Sequence, residues 1–341
     1  MAATLEKLHH ELPLQDPKKC DHEALDILKT LKPEWKSEDV KFEVFTAGIT
    51  NKIFAASVSD DDKVIFRVFG KNTEKIIDRR HELESWAVLA EKGLAAPLLG
   101  LFKNGIVCGY LPGKSLDVKL VRKPEMQTKI AEAMAKMHNI DTGHAKLPCV
   151  YDKMRNFLSN IGTFEDAAKQ AEYDRAFHNV NLEARAAEME AITSRLQPEV
   201  GFCHNDLLVY NILYDERNEK LSFIDYEYAD FNFTGFDTGN HFCEWAGVDN
   251  PDFTLCPSKE DRRSWLKQYL KSKNGTEPSE HQLETEVQQS DLFMAMSHLF
   301  WTIWAIVQAQ NSTIEFDYLG YAIQRLKVGQ ECMEEYLKGT R

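Results

Sequence analysis

Apolar positions alternate or cluster with β-branched and aromatic residues over 40–47, 52–58 and 63–69, which predicts three successive strands. The period then changes. Over 73–92, Ile76, Ile77, Leu83, Trp86, Ala87 and Ala90 share one helical face and Gly93 supplies a C-cap, so a helix is expected. Two more strands, 96–102 and 105–110, turn at Lys103-Asn104. Ahead of this block, residues 1 to 40 are polar, broken by Pro13, Pro17 and Pro33, with a short helix at 24–31. From Glu125 onward the spacing is mostly helical. Ile130, Met134 and Met137 form one stripe, and further helices are expected near 151–160, 165–195, 260–272, 282–308 and 313–338. Within this half, the apolar runs Asn211-Ile212-Leu213-Tyr214 and Leu221-Ser222-Phe223-Ile224 flank the polar turn 215–220 and predict a β-hairpin.

Strands followed by helices describe an α+β chain: a small antiparallel sheet with one helix, then a larger, mainly helical part. At 341 residues the chain exceeds the usual size of one core. The expected division is an extension over 1–39, a sheet domain over 40–110 and a helical domain over 111–341.

Composition narrows the setting. Hydrophobic residues make up 43% and charged residues 28%, as in soluble globular proteins. Lys+Arg 41 against Asp+Glu 54 gives a net charge of −13, which argues against nucleic acid or an anionic membrane surface as partner. The seven cysteines are scattered with no C-x-x-C pair, so free thiols in a reducing compartment are expected. The first residues lack the apolar core of a signal peptide, which points to the cytoplasm. The most apolar segment, 292–307, is shorter than the roughly 20 residues of a membrane span and contains Ser297, His298 and Thr302. A buried helix is expected there rather than a span.

The chemistry concentrates between Gly201 and Trp245. His204-Asn205-Asp206 is followed by Asn211, five residues past the aspartate, and by Asp225 after the run 221–224. Transfer of a γ-phosphoryl group needs a carboxylate at the attacking hydroxyl, plus an amide and a second carboxylate for the Mg²⁺ that neutralises phosphate charge. The spacing H-x-D-x4-N, then an aspartate after a short strand, fits that need. Asp206 is therefore the candidate base, and Asn211 and Asp225 are candidate metal ligands.

Three other features suit a nucleotide. The turn 46–52, with Gly48, Thr50 and Asn51, could bring backbone N–H groups to phosphates, although a plain hairpin turn fits it as well. Arg67 is one cation amid the apolar residues 64–69 and needs a carboxylate partner, for which Glu82 and Glu84 are both candidates. Cys108-Gly109-Tyr110-Leu111-Pro112-Gly113 breaks the pattern and reads as a hinge whose backbone could meet an adenine edge. In the C-terminal half, Trp301 and Trp304 project to one side of a helix, and Glu244-Trp245, Phe316, Tyr318 and Tyr321 add an acid and further aromatic rings. Such rings either build core or enclose an ammonium by cation–π attraction.

These residues resemble the choline/ethanolamine kinase family, a branch of the protein-kinase-like superfamily shared with aminoglycoside phosphotransferases. His204-Asn205-Asp206-Leu207-Leu208…Asn211, Ile224-Asp225-Tyr226-Glu227-Tyr228 and Phe236-Asp237-Thr238-Gly239-Asn240-His241-Phe242-Cys243-Glu244-Trp245 are close to its signatures. So are His298-x-x-Trp301-x-x-Trp304 and Ile314-Glu315-Phe316, and the likeness spans roughly 40 to 338. The resemblance implies a two-lobed protein-kinase-like fold and the use of ATP and Mg²⁺. It implies Asp206 as base, Asn211 and Asp225 as metal ligands, and Arg67 with Glu82 at the phosphates. Thr50, Asn51, Tyr110 and Leu111 complete the expected nucleotide site. Tyr228, Glu244, Trp301, Trp304, Phe316 and Tyr321 are implied to shape a pocket for a small amino alcohol. The family includes dimers, so a homodimer is an expectation, with no stretch marking its face.

Leu207-Leu208 after the aspartate and Ala246-Gly247-Val248-Asp249 after Trp245 depart from choline kinases and look like ethanolamine kinases. A primary ammonium has three N–H donors and wants acceptors, whereas a trimethylammonium wants aromatic walls and charge. Phosphorylation of ethanolamine to phosphoethanolamine, the first step of phosphatidylethanolamine synthesis, is thus expected, with choline or dual choline/ethanolamine phosphorylation as the alternative. A non-catalytic kinase-like binding module is the remote alternative; it would ordinarily lack one of Asp206, Asn211 and Asp225.

Overall fold

The structure, a computed structural model, describes residues 6–45, 51–69, 79–143, 145–312 and 314–340, with the backbone alone at 51 and 52. The chain divides into two compact units, Met1–Gly113 with Ser222–Glu227, and Lys114–Leu221 with Tyr228–Arg341.

The first unit holds β1 (Glu6–Lys7), α1 (Pro17–Leu31), β2 (Lys41–Phe45), β3 (Asn51–Ser57), β4 (Lys63–Phe69), α2 (Arg79–Glu91), β5 (Leu98–Phe102) and β6 (Gly105–Gly109). The strands form one sheet in the order β1-β5-β6-β4-β3-β2. The sheet is not wholly antiparallel as expected, because β1 pairs parallel to β5 at its edge. Leu8 N–H donates to the Leu101 carbonyl and Lys103 N–H to the His10 carbonyl, so this edge has backbone partners that local sequence pattern cannot reveal.

Residues 6–39 are built into this unit. Asp16 caps α1 by accepting from the Lys19 amide, and Pro17 stands at the first helical position, where its missing N–H costs nothing. The helix therefore starts before the expected residue 24. Its face of Cys20, Ala24, Ile27 and Leu28 joins Leu12 and Trp35 in one core with Phe54, Val64, Phe66 and Phe102 of the sheet. Phe54 and Phe66 stack at 4.9 Å. The Trp35 indole N–H donates to Asp62 at 2.8 Å, tying the end of this segment to the β3–β4 turn. The expected turn at 46–50 and the expected helical residues 73–78 lie outside the described residues.

The second unit contains β7 (Lys114–Ser115), α3 (Pro124–His138), α4 (Val150–Ser159), α5 (Ala167–Phe177), α6 (Leu182–Leu196), β8 (Val200–Cys203) and β9 (Ile212–Asp215). β10 (Lys220–Phe223) completes the hairpin and carries the chain into the first unit. β11 (Asp230–Phe233), α7 (Thr234–Cys243), α8 (Lys259–Asn274), α9 (Glu280–Asn311) and α10 (Tyr318–Gly339) follow. The single helix expected over 165–195 is two, because Asn181 leaves the helical conformation and caps α6 by accepting from the Ala184 amide. The pair β8–β11, absent from the pattern reading, is antiparallel and places Cys203 opposite Asp230.

α7 and α9 are the heart of this unit. Every residue of α7 is buried. α9 is long and apolar enough to cross a membrane by length and composition, but 83% of its most apolar window is buried inside the protein, as in a core helix. The two helices meet at Gly239, where a Cβ would lie 2.8 Å from the Phe293 carbonyl carbon and 2.9 Å from the Met294 nitrogen. Backbone cannot yield there as a side chain could. Gly239→Val is therefore expected to destabilise the protein by about 1–3 kcal/mol through overpacking. Thermal and urea denaturation check this, and an unchanged melting temperature would show that α7 can move away.

Candidate active site

In the first unit, β4 points Arg67 into a nest of carboxylates. Its guanidinium, 4% exposed, meets Glu82 at 3.0 Å, Asp225 at 2.7 Å and Glu227 at 2.9 Å. Arg79 also meets Glu82, at 2.6 Å. A buried cation needs such partners. Burial alone would lower the Arg67 pKa, but the charges of Asp225, Glu82 and Glu227 outweigh it and raise it. Glu84 is turned away and pairs with Arg80 at 2.9 Å, so Glu82 is the carboxylate on Arg67. Glu227 was not singled out from the sequence. Its carboxyl is pushed up to about 8, first by burial and then by the neighbouring Asp225. Asp225 sits at φ 64, a sharp left-handed turn that an aspartate tolerates better than most residues. Tyr110 and Leu111 follow β6, with Lys63 Nζ 5.4 Å from the Tyr110 ring. Asn51 opens β3 opposite Phe69, and Thr50 lies outside the described residues.

In the second unit, the loop after β8 is held by a buried carboxylate. Asp237 Oδ2 accepts from the His204 amide at 2.8 Å, and Oδ1 accepts from the Asn205 amide at 2.7 Å. His138 Nε2 donates to the same carboxylate at 2.9 Å, while its Nδ1 accepts from the Tyr269 hydroxyl at 2.6 Å. Asn205, at φ 65, adds its own side chain, donating to the Tyr228 carbonyl and accepting from Asn232. Asn211 donates to the Asp206 carbonyl at 2.9 Å, which leaves its amide oxygen available as a ligand. Asp206 is thus the half-buried end of a loop whose backbone is tied on both sides. His138, Cys203 and Asp237 are close enough to hold a metal. Yet Asp237 is already satisfied by two amides and an imidazole, and burial pushes the Cys203 thiol well up, away from the thiolate a metal needs.

The aromatic residues form a connected wall. Tyr228 meets Trp301 edge to face at 5.4 Å, Trp301 meets Trp304 at 5.3 Å, and Trp304 meets Tyr318 at 5.8 Å. Phe316 bridges Tyr318 at 4.9 Å and Tyr321 at 5.8 Å. Two polar contacts orient the indoles: Trp304 donates to the Tyr228 hydroxyl at 2.8 Å, and Trp301 donates to Asn240 Oδ1 at 2.7 Å. Burial raises the Tyr321 pKa, and the charges of Glu244 and Asp206 add to it against the opposing charge of Arg325. Glu244 is buried and ion-paired with Arg325. Asp249 stands exposed and accepts from the Tyr210 hydroxyl at 2.9 Å.

Sequence reading missed Glu227, Asp237, His138, Asn240 and Arg325. A signal existed for Arg325: it is one cation on the face of Leu319, Ala322 and Leu326, as Arg67 is in its strand. For Asp237 the partners are 33 and 99 residues away, beyond any local pattern.

His241 buttresses the same loop, its Nδ1 donating to the Leu207 carbonyl at 3.3 Å. Burial pushes this imidazole from 6.5 down to about 4, against the opposing pull of Leu207 and Asp237. Between those values the unfolded chain binds a proton that the folded chain refuses, so acidification costs about 1.4 kcal/mol per pH unit from this group. His241→Gln is expected to make the fall in stability between pH 6.5 and 4 shallower by that amount. Urea titrations at stepped pH read it, and an unaltered slope would contradict the assignment.

Comparison with known proteins agrees on one family. The model of the choline/ethanolamine kinase family matches residues 42–330. Ethanolamine kinase 1 of Homo sapiens is 38% identical over 331 residues, covering 94% of this chain and 73% of that protein. Among solved structures, Plasmodium vivax ethanolamine kinase superposes with a TM-score of 0.81 at 24% identity, covering 94% of this chain and 91% of that one. A choline kinase from Cryptosporidium parvum gives a TM-score of 0.78 at 19% identity, with coverage of 94% and 97%. These structures establish the protein-kinase-like fold, and the sequence matches establish more: the chain belongs to the choline/ethanolamine kinase family.

Proposed function

We propose that this enzyme transfers the γ-phosphoryl group of ATP to the hydroxyl of ethanolamine, with Mg²⁺, to give phosphoethanolamine in the cytosol. The observation that carries the reading lies within one unit: α7 carries both Asp237, which with Asn211 ties the loop ending in Asp206, and Asn240, which orients Trp301 of the aromatic wall. A base and a pocket for a small cation on the same scaffold are what phosphorylation of an amino alcohol requires. The sequence likeness to curated ethanolamine kinases favours that amine over choline.

Asp206 orients the substrate hydroxyl and accepts its proton as the oxygen attacks. Asn211 and Asp225 offer hard oxygen ligands, an amide and a carboxylate, which suit Mg²⁺. When bound, the metal neutralises charge on the phosphates. Arg67 and Glu82 serve the nucleotide phosphates in this reading, and Arg67, paired with Asp225 at 2.7 Å, also holds that carboxylate in place. The seven cysteines are free thiols, in keeping with a reducing compartment.

Choline is the second reading, since aromatic rings beside a carboxylate also suit a quaternary ammonium. Asp206→Ala is expected to lower kcat for ethanolamine phosphorylation by about a hundredfold or more, the scale of a lost general base, while nucleotide affinity stays within a few fold. Steady-state kinetics with a nucleotide-binding measurement test this. Ordinary turnover in the variant would end the proposed role.

A further inference from the structure

The carboxylate that family likeness assigns to the amine has a resident cation. Arg325 of α10 is 1% exposed, and each nitrogen of its guanidinium has a partner. Nη2 donates to Glu244 Oε1, Nε donates to the Tyr321 hydroxyl at 2.9 Å, and Nη1 faces His298 Nδ1 at 3.4 Å. Arginine can only donate, so His298 Nδ1 accepts and its proton sits on Nε2, 3.4 Å from Cys243 Sγ. Two aromatic rings pack against the guanidinium, with centroids 5.1 Å (Tyr321) and 5.4 Å (Phe253) from its central carbon. The fork is thus locked in place, and a substrate does not displace it cheaply.

We propose that Arg325 is the positioning residue that sets head-group selectivity, by fixing Glu244 and Tyr321 as oriented acceptors for N–H donors. The inference rests on the amino-alcohol kinase reading. The buried pair of Glu244 and Arg325 is neutral, so an incoming ammonium gains little from net charge at this end of the pocket. What remains is geometry. Arg325 holds Oε1 of Glu244, and no described residue donates to Oε2. The Tyr321 hydroxyl, having accepted from Nε, keeps a second lone pair. A primary ammonium uses such acceptors directly, whereas a quaternary ammonium has no N–H to give and depends on charge and ring faces. Arg325 therefore favours the primary amine without touching the reacting atoms.

Two variants test this, because removing a partner from a buried carboxylate can unfold a protein. Arg325→Met deletes the cation. Arg325→Lys keeps a charge against Glu244, but one ammonium cannot reproduce the planar fork that spans Glu244, Tyr321 and His298. Circular dichroism and melting identify which variants fold, and kcat and KM are then measured separately for ethanolamine and choline. Each folded variant is expected to keep kcat within threefold of wild type. The choline-to-ethanolamine ratio of kcat/KM should rise at least tenfold, about 1.4 kcal/mol, through the KM for ethanolamine. An unchanged ratio in Arg325→Lys, or an equal loss for both amines carried by kcat, overturns the proposal. The ratio is read against wild type, so a wild-type enzyme that preferred choline would defeat the ethanolamine reading and still leave the role of Arg325 decided by its shift.

Discussion

The second unit depends on one buried carboxylate. α7 is wholly buried, so its polar side chains must find partners inside the protein, and only Asn240 Nδ2 among its described polar side-chain atoms is buried with none. Asp237 meets that constraint by taking the His204 and Asn205 amides and the His138 imidazole. Three separate chain segments are thereby joined at one group, and the loop that ends in Asp206 acquires a fixed backbone. Asn240, one turn further along α7, does the same for the aromatic wall by accepting from the Trp301 indole and the Ser297 hydroxyl. A single helix thus orients both the loop of the proposed base and the aromatic wall, and Gly239 between the two residues lets that helix lie against α9.

Buried charge follows a common rule in both units. Arg67 and Arg325 are each almost wholly enclosed, Arg67 with three carboxylate partners and Arg325 with one, and each lies beside a residue proposed to meet substrate or nucleotide. Removing either cation would strip at least one buried carboxylate of a partner, which costs far more than the pair contributes. This arrangement suits a site that must hold its shape while charged ligands come and go.

Much of this was legible in the sequence. The strand pattern over 63–69, the lone cation Arg67 and the spacing from Asp206 to Asn211 are local features, and local features survive in a linear chain. The break between α5 and α6 was not legible, because Asn181 becomes a cap only once the chain turns there. The packing of residues 6–39 onto the sheet was hidden by their prolines and polar residues; Leu12, Cys20, Ala24, Ile27 and Leu28 show their purpose only against Phe54 and Phe66. Glu244 is implied by the resemblance to shape the amine pocket, but its partner Arg325 lies 81 residues away, beyond any local pattern.

The most direct test is a competition assay with purified enzyme, ATP, Mg²⁺ and equimolar ethanolamine and choline, with both phosphorylated products quantified in one reaction. Competition reports the ratio of kcat/KM values without separate calibration. The account predicts phosphoethanolamine in at least tenfold excess over phosphocholine. A tenfold excess of phosphocholine, or the absence of both products, would contradict it.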